Sequence, residues 1–255
     1  MATAMRSEAH ELASRMRRHW WYRGRRLAVD GLLRRGGAPR GGRVLDFGCG
    51  TGHMGAVLAR YGSLFGVEAS AEALGRGAYG DYESVTRAED LDAPGFPSGP
   101  FTLISCLDVL EHVEDDADLL ARLTRMLTPG GRIVVSVPMW PELYGPSDEA
   151  AGHHRRYTPA ALTRLIDAAG LSARASSGYV VALLPIARRR REQEASGSMD
   201  ASEQFEVPAA PVNAALSAVS LAEGALARWV PLPAGLSWIV VASRRMAAEE
   251  GETDV

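Results

Sequence analysis

The sequence contains no lysine: all 28 basic residues are arginine, against 31 acidic residues and a formal net charge of −3. This balance excludes the chain-wide positive field that attracts nucleic acid, and we interpret the arginine bias as compositional. Cysteine is equally scarce. The two cysteines, Cys49 and Cys106, cannot form a disulfide framework, which indicates free thiols in a reducing compartment such as the cytoplasm.

Long apolar runs are also missing. No run reaches the roughly 18 apolar residues that a membrane span requires, and Met1 to Arg18 lacks the apolar core of a signal peptide. Apolar residues make up 46% and charged residues 23% of the 255 residues, which is typical of a globular protein. We therefore expect a soluble, cytoplasmic protein that forms a single domain over residues 1–255.

Strand-like and helix-like segments alternate from Arg43 onward, a pattern that predicts an α/β fold with a doubly wound parallel sheet. The predicted strands are Arg43–Phe47, Leu64–Glu68, a short one centred on Val85, Phe101–Leu107, Arg132–Val137, Leu171–Ser177 and Leu236–Ser243. The predicted helices are Ser7–Leu33, His53–Tyr61, Ser70–Gly77, Asp116–Leu127, one capped by Thr158 with Pro159 in its first position, and Val212–Trp229. Met139 to Tyr157 is predicted to be a long loop.

Three alternating glycines follow the first strand: Gly48, Gly50 and Gly52, with Asp46 just before them. Glycines at this position let the backbone approach a ligand closely, and a carboxylate ending the next strand, here Glu68, accepts the ribose hydroxyls of a nucleoside. The sequence therefore predicts a nucleoside site at the carboxyl edge of the sheet.

Two classes of cofactor fit these glycines. Gly50 to Gly55 also satisfies the dinucleotide pattern Gly-x-Gly-x-x-Gly, so an NAD(P)-dependent reductase is one alternative. Asp46 opposes it, because a carboxylate repels a pyrophosphate but attracts an ammonium group.

The stretch from Arg43 to Val137 resembles the class I S-adenosylmethionine-dependent methyltransferases, whose first motif is an acidic residue, any residue, then Gly-x-Gly-x-Gly. The resemblance implies a Rossmann-like seven-stranded sheet and a donor site that includes an acidic side chain on the adenine amino group. Asp90 is the choice for that side chain and Glu89 the alternative, and a solvated acidic turn is the other interpretation. The implied donor-binding residues in the core are Asp46, Gly48, Cys49, Gly50, Gly52, Glu68, Ala69, Asp90, Leu91 and Leu107.

Three further segments resemble a bacterial subgroup of these enzymes that is often encoded near glycan, lipid or secondary-metabolite genes: His19 to Arg26, Leu107 to Val113 and Gly152 to Tyr157. The resemblance implies an N-terminal lid in which Trp21 covers the donor and Arg23 pairs with its methionine carboxylate. An amphipathic helix that merely docks on the sheet is the open alternative. The resemblance divides the chain into five parts: an N-terminal helical lid (1–40), a donor-binding core (41–138), an acceptor-side segment (139–177), a helical cover insertion (178–235) and a last strand (236–245).

Asp108, Glu111 and His112 stand at i, i+3 and i+4, so a helix after the fourth strand would bring them to one face. Similar enzymes, the polyprenyl-catechol O-methyltransferases, hold a divalent metal on a related pattern. We favour helix capping by Asp108 and a structural role for His112 instead, because a hard cation requires more oxygen ligands than the pattern supplies. No metal is therefore expected.

His153 lies in the loop after the fifth strand, which forms the acceptor side of this fold. An imidazole suits proton removal near neutral pH, so His153 is the predicted general base and His154 ranks second. The alternative is a histidine that anchors the loop. The expected acceptor is a small molecule or a lipid-like molecule, with O-methylation favoured over N- or C-methylation. A catalytically silent donor-binding subunit is a further alternative. The run Arg188 to Arg191 is either a membrane-surface patch or simply solvated.

Overall fold

The computed structural model describes residues 19–195 and 209–245. The first described helix, α1 (Trp20–Arg35), begins at His19, whose imidazole accepts a hydrogen bond from the backbone N–H of Trp21 at 3.2 Å, and ends at Gly36. The predicted beginning of this helix at Ser7 lies outside the described residues. The predicted end of the helix at Leu33 is confirmed to within two residues.

Seven strands form one sheet in the order β3-β2-β1-β4-β5-β7-β6. The strands are β1 (Arg43–Phe47), β2 (Ser63–Glu68), β3 (Ser84–Arg87), β4 (Phe101–Leu107), β5 (Leu127–Pro138), β6 (Leu171–Tyr179) and β7 (Ser237–Arg244). All the predicted strands are confirmed, although β5 begins at Leu127 rather than Arg132.

The direction of the last strand differs from the expected all-parallel sheet. β7 runs antiparallel to both β5 and β6, while the other pairs are parallel. Ser237 at the start of β7 pairs with Tyr179 at the end of β6, so the chain re-enters the sheet at the edge where it left. A parallel strand at this place would require the chain to cross to the opposite edge of the sheet first, and the chain makes no such crossover.

The remaining helices cover the two faces of the sheet. They are α2 (Gly55–Leu58), continued by a 3₁₀ turn at Ala59–Tyr61, α3 (Ala71–Arg76), α4 (Asp116–Arg125), α5 (Pro146–Ala151), α6 (Pro159–Ala168), α7 (Leu184–Ala195) and α8 (Ala210–Ala227), with 3₁₀ turns at Leu110–His112 and Pro141–Leu143. Ser70 and Thr158 cap α3 and α6 through their hydroxyl groups, as predicted.

The segment from Met139 to Tyr157, expected as a long loop, contains a 3₁₀ turn and the helix α5. Pro146 occupies the first turn of α5, where its missing N–H costs nothing. Gly152 ends the helix with φ 77°, a left-handed conformation that glycine adopts readily. These local stop and start signals lie too close together for helical periodicity to reveal the short helix between them.

Alternate residues of the central strands pack on opposite faces of the sheet. Leu45 and Ile104 belong to the core beneath α4 and α6, while Val44 and Leu103 belong to the core beneath α1 and α2. This alternation is the period-two geometry of a strand buried on both sides. The carboxyl ends of β1, β2, β4 and β5 therefore meet at one edge, between the two helical layers.

Helix α8 is long and apolar enough to cross a membrane, judged by length and composition alone, and 22% of its residues are buried. No uninterrupted apolar run marks it in the sequence, because serines and one glutamate interrupt its alanines, valines and leucines. Within residues 19–195 and 209–245 it is the single helix with this property.

Candidate active site

The glycine loop after β1 carries three left-handed backbone conformations: Gly48 has φ 73°, Gly50 φ 54° and Gly52 φ 77°. A methyl group added at Gly48 would lie 2.4 Å from Val109, and one added at Gly52 would lie 2.6 Å from the carbonyl oxygen of Ala78. Gly50 instead faces open space. The loop is therefore packed tightly on both sides and open at its middle, where a ligand can approach the backbone.

Glu68 lies directly beside this opening, as its place at the end of β2 predicts. One carboxylate oxygen accepts a hydrogen bond from the N–H of Gly50 and the other from the N–H of Ser70, each at 2.8 Å. A carboxylate has about four acceptor sites, so both oxygens keep a position for a further donor such as a hydroxyl group.

The turn after β3 lies next to Glu68, since the N–H of Ala88 donates to the carbonyl oxygen of Glu68 at 3.1 Å. Asp90 in this turn is exposed and accepts a hydrogen bond from the N–H of Asp92 at 2.8 Å. Glu89 is exposed as well and lies 3.6 Å from Arg87. The structure thus brings the predicted adenine-side and ribose-side segments together, with Ala69 and Leu91 beside them.

Asp46 is buried beneath the loop rather than open to it. Its two oxygens accept hydrogen bonds from the hydroxyl groups of Tyr82, at 2.7 Å, and Ser105, at 2.8 Å. Burial raises the pKa of Asp46, and these two hydrogen bonds oppose the rise. Sequence reasoning missed both partners. Ser105 had a signal, as a polar residue inside an otherwise apolar strand, whereas nothing in the sequence marks Tyr82.

Tyr79 closes one side of the glycine loop. Its hydroxyl donates to the carbonyl oxygen of Gly50 at 2.5 Å, and its ring lies against Gly52. Cys49, between these glycines, is buried, and burial raises the pKa of its thiol. A protonated, buried thiol is a poor nucleophile, so Cys49 serves the loop through its backbone.

An ion pair links α1 to the carboxyl ends of β4 and β5. The guanidinium of Arg25, with 4% of its side chain exposed, pairs with Asp108 and donates to the Ser136 hydroxyl at 2.5 Å. That hydroxyl in turn donates to the other oxygen of Asp108 at 2.7 Å. This network fastens the helix over the same edge of the sheet as the glycine loop.

Tyr22 and His53 form a second contact between α1 and the loop, with ring centroids 4.4 Å apart. Nε2 of His53 is buried and has no hydrogen-bond partner among the described residues. Burial, reinforced by the charges of Arg25 and Arg26, lowers the pKa of His53 to about 3. The ring is therefore neutral at neutral pH. Its buried, unpartnered Nε2 belongs to the residue that directly follows Gly52, the last glycine of the motif.

The two lid residues expected from sequence point elsewhere. Trp21 packs edge-on against Tyr179, with centroids 5.8 Å apart, and Arg23 is exposed in a surface hollow that it shares with Ala56 and Arg60. The α1 face that meets the glycine loop carries Tyr22 and Arg25 instead. The phase of a single helix decides which of several aromatic and basic neighbours faces the site.

The predicted convergence of Asp108, Glu111 and His112 on one helical face is wrong. Asp108 has a left-handed φ of 54°, and only a 3₁₀ turn, Leu110–His112, follows it. Asp108 therefore faces Arg25, and the third residue beside Glu111 and His112 is His153. Ligand atoms of Glu111, His112 and His153 all lie within 4.8 Å of one another.

This cluster has one buried carboxylate and two imidazoles. Burial and the neighbouring Asp108 raise the pKa of Glu111 well above its usual value, and Oε2 of Glu111 has no partner among the described residues. The rings of His112 and His153 meet edge to face, 4.7 Å apart, and burial lowers the pKa of His112. The set lacks the oxygen ligands that Mg²⁺ requires, although Zn²⁺ accepts such ligands in other proteins.

His153 is oriented by a buried carboxylate. Its Nδ1 lies 2.7 Å from Asp148, whose two oxygens also accept hydrogen bonds from Nε of Arg156 at 2.8 and 2.9 Å. Burial opposes ionisation of Asp148, but the hydrogen bonds from His153 and Arg156 hold its pKa below the usual value. Because an ionised carboxylate can only accept hydrogen bonds, Nδ1 of His153 is the donor in this contact. His154 is exposed and reaches the cluster only through its backbone N–H, which donates to the carbonyl oxygen of Glu111 at 2.7 Å.

The sheet order with one antiparallel strand, the glycine loop after β1 and the carboxylate at the end of β2 define a class I S-adenosylmethionine-dependent methyltransferase. Residues 18–176 match the family described as a methyltransferase domain, and the chain belongs to that family. The methyltransferase function and the fold predicted from the sequence are confirmed.

Two curated relatives are similar to this chain. The ubiquinone biosynthesis O-methyltransferase of Aeromonas salmonicida (strain A449) is 30% identical over 178 residues, which are 60% of this chain and 72% of the relative. The enzyme of the same description from Sodalis glossinidius (strain morsitans) is 33% identical over 119 residues, 43% of this chain and 47% of the relative. The chain thus spans nearly three quarters of the first relative and about half of the second.

Among solved structures, the magnesium protoporphyrin IX methyltransferase of Synechocystis PCC 6803 with bound SAH shares the fold. It is 17% identical, with a TM-score of 0.51, and the match covers 88% of this chain and 83% of that one. The comparisons support the methyl donor as cofactor and do not support the NAD(P)-dependent reductase alternative.

Proposed function

We propose that this methyltransferase transfers a methyl group from S-adenosylmethionine to a hydroxyl group of a small-molecule or lipid-like acceptor, of a quinone, envelope or secondary-metabolite type. One observation carries the choice of a hydroxyl: His153 is held by the buried Asp148 at the carboxyl edge of the sheet, with Nε2 left to take a proton. The names of the relatives, which describe O-methylation in ubiquinone biosynthesis, agree with this choice.

The donor lies across the carboxyl ends of β1 to β4. In our proposal the ribose hydroxyls bind Glu68, and the backbone of the glycine loop lies against the nucleoside at Gly50, where the structure offers open space. Asp90 serves the adenine amino group. The methionine end extends toward Arg25 and His53, because both lie between the loop and the lid helix.

The chemical step is an in-line displacement. The acceptor oxygen forms a bond to the methyl carbon while the carbon–sulfur bond breaks, and S-adenosylhomocysteine leaves as a neutral thioether. The acceptor proton moves to Nε2 of His153, and Asp148 stabilises the resulting imidazolium. The sulfonium is already a good leaving group, so the protein contributes chiefly by holding the two reactants in line.

We place the reaction in the cytoplasm, in line with two buried, unpaired cysteines. Direct methyl-transfer assays test the proposal. Transfer of labelled methyl groups is measured with panels of phenols, polyprenyl phenols, amines and carboxylates, beside calorimetric titration with S-adenosylhomocysteine and with NADPH. We expect labelled methyl ethers from the phenols, and we expect the protein to bind S-adenosylhomocysteine but not NADPH. Methylation of amines only would contradict the hydroxyl acceptor, and donor binding without transfer to any panel member would favour a catalytically silent subunit.

A further inference from the structure

Helix α8 turns an unusually apolar face to the outside of the protein. Val212, Val219 and Leu226 are 51%, 40% and 48% exposed, and Trp229 and Val230 just beyond the helix are 72% and 52% exposed. Exposed alanines fill the positions between them: Ala214, Ala215, Ala218, Ala222 and Ala225. A contiguous apolar face of this kind marks an interaction surface.

The opposite face of α8 is fixed against α1. Ser220 accepts a hydrogen bond from the N–H of Gly24 at 3.1 Å, and a methyl group added to Gly224 would lie 2.3 Å from the carbonyl oxygen of Gly24. Ser217 and Ala227 are buried on this side too. The two helices are therefore in close backbone contact, and α8 cannot cross a bilayer without leaving α1.

The helix presents no charge on its outward face. Its one charged residue, Glu223, accepts hydrogen bonds from the N–H groups of Val181, at 2.9 Å, and Ala182, at 2.7 Å. These bonds engage both oxygens of the carboxylate and fasten the segment that leads into α7 beside α8. Ile186, early in α7, is 61% exposed.

Positive charge flanks the apolar face. After Ile186 the sequence of α7 continues with the run Arg188 to Arg191, in which Arg188 and Arg189 are exposed, whereas Nε of Arg191 donates a hydrogen bond to the carbonyl oxygen of Tyr144 at 2.7 Å. Arg228 stacks on the ring of Trp229 at 4.7 Å from its centroid. On α1, the exposed Arg23 shares a surface hollow with Leu27 and with Leu221 of α8.

From this arrangement we propose that α8 and the start of α7 form a docking surface for a lipid bilayer that contains anionic headgroups. The apolar face lies in the acyl boundary, and Trp229 occupies the interface, where one face of its ring is covered by a cation. The exposed arginines, Arg23, Arg188 and Arg189, meet lipid phosphates. The proposal does not depend on the identity of the methyl acceptor.

A second copy of the chain is the competing occupant, because Val212, Val219 and Leu226 repeat every seventh residue. The width of the apolar face favours the bilayer. At 100° per residue the exposed apolar positions of α8 span roughly 160° of the helix circumference, whereas a coiled-coil seam uses only two positions in seven. A broad face bordered by arginine is typical of helices that lie in a membrane interface.

Vesicle flotation tests the proposal. The whole chain is incubated with vesicles of phosphatidylcholine, alone or mixed with phosphatidylglycerol, and we expect it to float with the anionic vesicles in a salt-sensitive manner. Paired replacement Val219→Glu and Leu226→Glu is expected to reduce flotation at least about ten-fold, because two charges enter the apolar face. Arg188→Gln and Arg189→Gln are each expected to weaken binding about five-fold.

The matched control is Ala160→Glu with Ala168→Glu, which places the same charges on exposed positions of α6, on the other face of the sheet. This variant is expected to float like the wild type, and all variants are expected to keep the thermal melt and binding of S-adenosylhomocysteine. The proposal is overturned if the wild type does not float with anionic vesicles, or if the α6 control loses flotation equally. A dimer in ultracentrifugation that Val219→Glu and Leu226→Glu dissociate, without any flotation, would identify a second copy instead.

Discussion

The donor end of the carboxyl edge and the helix α1 that covers that edge are held by contacts of very different sequence separation. At the donor end Glu68, the last residue of its strand, accepts a hydrogen bond from the N–H of Gly50, 18 residues away. Helix α1 is held by the pair Arg25 and Asp108, 83 residues apart, and by the pair Gly24 and Ser220, 196 residues apart. The donor end is therefore recognisable from local motifs, whereas the position of α1 depends on how distant segments dock.

The largest expected effect is at the acceptor end. His153→Ala should lower kcat by about 10² to 10⁴, because no other described side chain is held by Asp148 as a proton acceptor, while the affinity for S-adenosylhomocysteine stays near the wild type. Steady-state kinetics with a hydroxyl acceptor and calorimetry measure the two quantities.

His154→Ala is the control for this variant and should change kcat little, since the side chain of His154 is exposed. The acid limb that a histidine base gives the pH–rate profile should be absent from His153→Ala. Normal turnover in a folded His153→Ala variant would show that the acceptor requires no base.

Breaking the link between α1 and the edge of the sheet should cost stability. Arg25→Met leaves Asp108 facing the covered edge without its cation, and we expect the free energy of unfolding to fall by about 3 kcal/mol. Urea denaturation measures the change. Arg23→Ala, on the same helix but exposed, should change it by no more than about 0.5 kcal/mol. Equal effects of the two substitutions would contradict the helix phase described above.

A moderate effect is expected at the donor end. Glu68→Ala removes the proposed ribose acceptor and also leaves the N–H of Gly50 unpaired, so binding of S-adenosylhomocysteine should weaken by about 1 to 3 kcal/mol. Glu68→Gln keeps an acceptor oxygen and should lose less. Unchanged affinity in Glu68→Ala, measured by calorimetry, would remove Glu68 from the donor site.

A smaller effect is expected on the pH dependence of stability, through the contact between α1 and His53 at the end of the glycine loop. The pKa of His53 is about 3 in the folded chain against 6.5 ordinarily, so below 6.5 the unfolded chain binds a proton that the folded chain does not. This contribution to stability is complete above the ordinary pKa and is lost as the pH falls, by about 1 kcal/mol between about pH 7.5 and about pH 5.5.

His53→Phe keeps an aromatic contact with Tyr22 but cannot titrate. Its free energy of unfolding should therefore fall less than that of the wild type over the same pH interval, as measured by urea denaturation at each pH. An identical pH dependence in the two proteins would mean that His53 is already accessible to protons in the folded chain.

No effect is expected from chelation. If His153 acts as a base, EDTA should leave turnover unchanged, because Asp108 is engaged by Arg25 and the remaining cluster supplies a single carboxylate. Loss of activity that is restored by Mg²⁺ or Zn²⁺, with the cation content checked by mass spectrometry, would reassign Glu111, His112 and His153 as ligands.

The sequence by itself determined the positions of the strands and the outline of the donor end, but not the direction of the last strand. Strand and helix periodicities, the hydroxyl caps Ser70 and Thr158, and the carboxylate of Glu68 at a strand end are local properties of neighbouring residues. They survive folding because parallel strands bring their carboxyl ends to one edge whatever the details of packing.

Only the tertiary structure decided which side chains face that edge from elsewhere. The left-handed backbone at Asp108 turned its side chain toward Arg25. His153, rather than Asp108, forms the cluster with Glu111 and His112. The docking of α8 on α1 fixed which face of an apolar helix remained outside. Helix phase, backbone handedness and long-range packing each depend on contacts between segments far apart in the chain, and no local pattern of residues specifies them.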